Sequence, residues 1–186
     1  MGLKLLFQTL ANKDNPDEVE NQGPFPCKKE PWLGRGYYFW DTFKELAHWW
    51  GKVGYHGNYF ICECYCNDCS SEIFDLVGNT SHILEFKKYA QAIQEIYPEQ
   101  KLTVPFIIEH MKKRSKFIYR AIRANPIGCT NGDEYLKTQR MYFIRKNSAY
   151  LDMTPPIQIC IIDKSFVNNN SFKIIYPEEY CTNYTI

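Results

Sequence analysis

The sequence predicts an α+β fold on three observations. Segments with strand character recur from the N-terminus almost to the C-terminus, whereas helical apolar spacing is concentrated in the first two thirds, and the two kinds are interleaved in a mixed order. At 186 residues and 45% hydrophobic content the chain is long enough for one core and short for two, so a single domain over 1–186 is expected.

Taken in order, "LKLLFQTL" (3–10) has the character of a first strand. The stretch from Ala11 to Leu33 is rich in Asn, Asp, Pro and Gly and is expected to be a long irregular loop, a candidate lid or substrate loop. In the helix that follows, Thr42 and Glu45 have Thr-x-x-Glu capping-box spacing, and Phe43, Leu46, Ala47 and Trp50 fall on one stripe with Trp49 just off it. "NYFICECYC" and "EIFDL" are expected strands around a turn at Asn67 to Ser71. Thr80 or Ser81 is positioned to cap a second helix to about Tyr97, with Ile83, Phe86, Ala90, Ile93 and Tyr97 on one stripe and Pro98 ending it. Pro105 suits the first turn of a third. "FIYRAIRA", "RMYFIR", "IQICII" and "FKIIY" complete the expected strands.

Composition excludes several classes. A net charge of +1 gives no global attraction to nucleic acid or an anionic membrane, so a basic site has to be local. Lys112, Lys113, Arg114 and Lys116 form such a run, which serves either as a helix C-terminus complementing the dipole or as a docking ridge for an acidic partner. The apolar N-terminal run is interrupted by Lys4 and Gln8, and Leu6 stands where a myristoylation signal needs Ser or Thr, so a soluble cytoplasmic protein without membrane attachment is expected. Eight cysteines without a secretion signal point to reduced thiols. Cys62, Cys64 and Cys66 alternate on a strand at roughly 6.5 Å spacing, too far apart for consecutive sulfurs to surround one zinc. Cys66 and Cys69 have knuckle spacing but lack a second pair; buried apolar cysteines are expected and no metal, with a zinc module contacting RNA as the remote alternative. The four histidines show no HxH or HExxH spacing, and no serine-hydrolase element is present.

The most informative stretch is "LGRGYYFWDTFKELAHWWG". Gly34 and Gly36 permit a close approach of backbone to a ligand, and Tyr38 and Trp49, eleven residues apart across a strand-to-helix corner, have the spacing to face each other across a slot for a flat group. Both rings also suit plain core packing of a strand on a helix.

"GRGYYFWDTFKELAHWW" resembles the Gly-x-Gly-[Ile/Phe]-Tyr-[Phe/Leu] segment of ADP-ribosyltransferases, in the poly(ADP-ribose)-polymerase-like and diphtheria-toxin-like branch. The resemblance implies split mixed β-sheets around an NAD-binding cleft. It implies that Tyr38 and, after Ala47, Trp49 sandwich the nicotinamide of NAD, the substrate. "PPIQICIID" resembles the family's late strand, making Gln158 the third-motif residue that orients ribose and acceptor. The first motif, His-Gly-[Thr/Ser] in the family, has its nearest match in Gln8 and Thr9 of "LLFQTL"; a shift of one residue puts Phe7 there instead. Arg35 is placed to meet a pyrophosphate. Cleavage of the nicotinamide bond passes through an oxocarbenium-like state, which a carboxylate stabilises by charge and Gln158 only by hydrogen bonding. The implied activity is therefore mono-ADP-ribosylation of a protein or nucleic acid acceptor, as by a toxin or effector, with poly-ADP-ribose elongation unexpected. The alternative is a catalytically silent relative that binds a nucleotide or a partner through the same cleft.

Overall fold

The computed structural model describes residues 3–28, 30–67, 70–144 and 148–181. Its elements are β1 (Leu3–Ala11), α1 (Pro16–Gln22), β2 (Tyr37–Asp41), α2 (Lys44–Gly54), β3 (Tyr59–Asn67), β4 (Ile73–Asp75), α3 (Thr80–Ile96), α4 (Val104–Lys112), β5 (Ala121–Ala124), α5 (Glu134–Thr138), β6 (Arg140–Tyr142), β7 (Tyr150–Asp152), β8 (Gln158–Ile161) and β9 (Val167–Tyr176). The class is α+β. Seven strands form one sheet in the order β4-β5-β8-β2-β1-β3-β9, and β6 and β7 form a separate ribbon. Among the named strands of that sheet, only β4 and β5 pair in parallel. No helix among the described residues is long and apolar enough to cross a membrane.

Strand alternation divides the core between the two faces of the sheet. On one face Leu6, Phe39, Cys62, Cys64, Cys66 and Ile159 pack with Val19 of α1 and with Phe166 and Phe172. On the other, Phe7 and Trp40 lie under Leu46, Ala47 and Trp49 of α2, while Tyr38, Ile122 and Cys160 lie under Ile107, Ile108 and Met111 of α4 and Ile93 of α3. Burying Leu46 completely contributes about 2 kcal/mol. The three strand cysteines do share one buried face, and burial pushes the Cys64 thiol up to about 12, which keeps it protonated and apolar. Cys69 lies outside the described residues.

Several local expectations are corrected. The 11–33 segment is not one irregular loop: Pro16 opens α1, Val19 docks it on the sheet, and Lys164 Nζ donates to the Gln22 carbonyl at 2.8 Å. The capping box at α2 does not form. Thr42 has φ +69 at the centre of a γ-turn closed by Phe43 N–H donating to Asp41 O at 2.8 Å, and its hydroxyl donates to Asp41 Oδ1, so the cap position falls one residue later, on Phe43. Trp49, expected off the buried stripe, is inside it at 9% exposure. Asn79, and neither Thr80 nor Ser81, caps α3 through its Oδ1. α5 and β7 were not expected.

Candidate functional site

The predicted site residues fall on both faces of the sheet. Gln8 pairs with Cys62 and so points to the α1 face, where its amide donates to Phe25 O at 2.8 Å and accepts from Phe25 N at 2.9 Å. It is a buried clamp on the 24–27 segment. Thr9 points to the opposite face, but its hydroxyl donates to Ala47 O at 3.0 Å and holds α2 on the sheet. In the register, Phe7 sits beside Trp40, Trp40 beside Gln158, and Gln158 beside Ala124, so these four form one row on one face. Phe7 and Thr9 therefore share the face of Gln158, and Gln8 does not.

Tyr38 and Trp49 do not make a slot. Clasping a planar ring between two others needs near-parallel walls about 7–8 Å apart. Trp49 instead meets Trp40 edge-on at 5.8 Å and 78°, and Trp50 at 5.9 Å and 46°. Tyr38 packs two residues along β2 in the α4 cluster. Its hydroxyl accepts from Leu33 N at 2.6 Å and donates to Gly34 O at 2.8 Å, and burial pushes the phenol well above its usual range, so it stays neutral. Tyr38 is a latch for the glycine turn. Tyr38→Phe is expected to cost about 1–3 kcal/mol in urea unfolding, because it strands a backbone donor and an acceptor; a ring serving only to stack would tolerate that change.

The glycines have a structural purpose of the same kind. A Cβ on Gly34, which has φ +80, would collide with Glu109 Oε1, and one on Gly36 would stand 2.5 Å from Cys160 Sγ and 2.6 Å from Ile161 O. Glu109 Oε1 accepts from Arg35 N at 2.7 Å, and Lys112 Nζ donates to Arg35 O at 2.9 Å. Burial raises the Glu109 carboxyl, but the Arg35 N–H and Lys112 outweigh it and hold it below the usual range. The backbone approaches the protein's own α4 and β8 here, not a ligand. Lys112 therefore leaves the expected docking ridge; Lys113, Arg114 and Lys116 stay exposed, with Arg114 4.9 Å over the Tyr89 ring. The Arg35 side chain is exposed on the turn.

The cavity of this face lies over Gln158. A cleft of about 620 Å³ has Gln158 and Ala124 as its floor, the start of α4 (Thr103, Val104, Pro105) as one wall and Glu30, Pro31, Trp32 and Leu33 as the other, with Asn125 and Pro126 at its end. Its lining is mostly apolar. The Gln158 amide interrupts it and makes no hydrogen bond among the described residues; Asn125 also lines the cleft, with its Oδ1 buried and without a partner. The first turn of α4 has no side-chain cap, which leaves its N–H groups beside the cleft. Trp32 touches Trp50 at 6.4 Å, so all four tryptophans form one contiguous chain from the cleft through Trp50 and Trp49 to Trp40.

Of the expected residues, then, only Gln158 lines this cleft. Trp32, Asn125 and Thr103 to Pro105 were missed. Trp32 belongs to "EPWLG", where a bulky aromatic beside a proline at the end of a candidate substrate loop was a usable signal; Asn125 carried none. Among the described residues no three His, Cys, Asp or Glu side chains converge as metal ligands do. Compared with family models, curated proteins and solved structures, the chain finds no match.

Proposed function

We propose that this chain binds a flat heteroaromatic ligand of the nucleotide class in the cleft over Gln158, and that it binds without transferring. The observation that carries the reading is the apolar cleft walled by Trp32, with the half-buried Gln158 amide in its floor making no hydrogen bond among the described residues. Apolar walls favour a ring, and the Gln158 amide, with donor and acceptor both unused, sets its orientation. The resemblance in the Gly34 to Trp50 segment makes NAD and its fragments the first compounds to test. Catalysis is not part of the proposal, because the strand residue Gln158 stabilises a developing cation by hydrogen bonding and not by charge, and the one carboxylate in the lining among the described residues, Glu30, is exposed on the loop wall.

Calorimetry against NAD, ADP-ribose, adenosine and nicotinamide tests this, together with tryptophan fluorescence. At least one compound is expected to give binding heat and to change the emission through Trp32. Trp32→Ala is expected to weaken binding by about 1–3 kcal/mol, the usual worth of a stacked base, and Gln158→Ala by about 1 kcal/mol. Silence from all four compounds disproves the reading. Release of nicotinamide from NAD would restore the mono-ADP-ribosyltransferase alternative in its place.

A further inference from the structure

Between β5 and β8 the chain leaves the sheet at Ala124 and returns at Gln158, carrying α5 and the β6–β7 ribbon. The ribbon pairs Met141 with Leu151 and Tyr142 with Tyr150, and backbone bonds from Phe143 N to Ala149 O and from Met153 N to Gln139 O extend it both ways. Alternation therefore puts Met141, Phe143, Ala149, Leu151 and Met153 on one face and Arg140, Tyr142, Tyr150 and Asp152 on the other. The second face makes its own contacts: Arg140 lies 4.5 Å over the Tyr150 ring, which meets Tyr142 edge-on at 6.1 Å. Both faces are open to solvent, Tyr142 at 59% and Tyr150 at 36%, but the first presents four apolar side chains, Met141 60%, Phe143 70%, Leu151 52% and Met153 51% exposed.

A two-stranded ribbon is marginal in water by itself, and a contiguous exposed apolar face marks an interface. We propose that this face joins two copies of the chain, packed face to face about a two-fold axis. Among the described residues the patch carries no charge, so copy meets copy there without repulsion and without leaving an ion unpaired. Chemical uniformity makes it self-complementary, which is what an isologous contact requires. Its size also fits. Exposed over half or more, these four side chains offer on the order of 500 Å² per copy, or about 1,000 Å² for the pair when fully covered, the lower bound of a specific interface. A reversible dimer is expected at this size, and since each core is complete without the ribbon face, dissociation leaves both copies folded.

Sedimentation velocity of the full chain over a micromolar concentration series tests this. The wild type is expected to pass from the 22.0 kDa monomer to twice that mass as concentration rises. Phe143→Glu with Leu151→Glu is expected to remain monomeric throughout with unchanged far-ultraviolet circular dichroism, while Tyr142→Glu, on the opposite face, dimerises like the wild type. A wild type that is monomeric over the whole series overturns the proposal, as does a Phe143→Glu, Leu151→Glu variant that still dimerises. Co-flotation of monomeric wild type, but not of the doubly charged variant, with anionic phosphatidylserine vesicles would give the face to a lipid surface instead.

Discussion

Replacing Asp41 by alanine is expected to lower the free energy of unfolding by about 3–5 kcal/mol, read from urea melts at pH 7. Asp41 ends β2 at 3% exposure and accepts from Arg123 Nε at 2.7 Å and from Lys4 Nζ at 3.2 Å. Arg123 reaches on to Asp75 Oδ1 at 3.2 Å, so the four charges tie the start of β1 and the ends of β2, β4 and β5 together on the α1 face. Removing Asp41 leaves two partly buried cations with one carboxylate between them. Burial alone would raise the Asp41 carboxyl; the Arg123 hydrogen bond and the Lys4 charge outweigh it and hold the group below its usual range. Its folded value is thus lower than its unfolded value of about 3.9. Asp41 therefore contributes its full stability above the unfolded value and loses it as pH falls through the folded one. The gap between wild type and Asp41→Ala is expected to be widest at neutral pH and to shrink below about pH 4. A gap that stays constant down to strong acid would show that the ion pairs do not carry it.

Gly36→Ala is expected to cost about 3 kcal/mol, at the upper end of what overpacking does, and to lower Tm by about 6–12 °C for a domain of this size. The added methyl would stand 2.5 Å from Cys160 Sγ and 2.6 Å from the carbonyl oxygen of Ile161. A thiol can turn aside, but the carbonyl belongs to the neighbouring strand, so the start of β2 has to lift from β8. Combining Gly36→Ala with Cys160→Ala is therefore expected to restore only part of the loss. Gly132→Ala is the control, since nothing lies within 4 Å of its would-be Cβ, and it should leave Tm nearly unchanged. If Gly36→Ala proves as harmless as Gly132→Ala, the turn is not seated against β8 as described.

Both results bear on how much of this protein its sequence discloses. Local pattern was sufficient for the α+β class, the first strand, the helices after Asp41, Asn79 and Thr103, and the strand from Gln158, because each depends on periodicity within a few residues. The buried cysteine face was legible for the same reason. The capping box was not: Thr-x-x-Glu spacing was present, but the γ-turn at Thr42, closed onto Asp41, pre-empted it.

The sequence by itself determined which residues are flat, flexible and close together between Leu33 and Gly51, and that one strand brings an amide at position 158. Only the tertiary structure decided what those residues meet. Two-residue alternation sent Gln8 to the far face, the packing of Trp40 against Trp49 filled the gap in which a ring was expected, and the close approach of Gly34 and Gly36 went to α4 and β8. The physical reason is that a glycine or an aromatic specifies a kind of contact and not its partner, and the partners here, Glu109 and Cys160, come from 74 and 126 residues away.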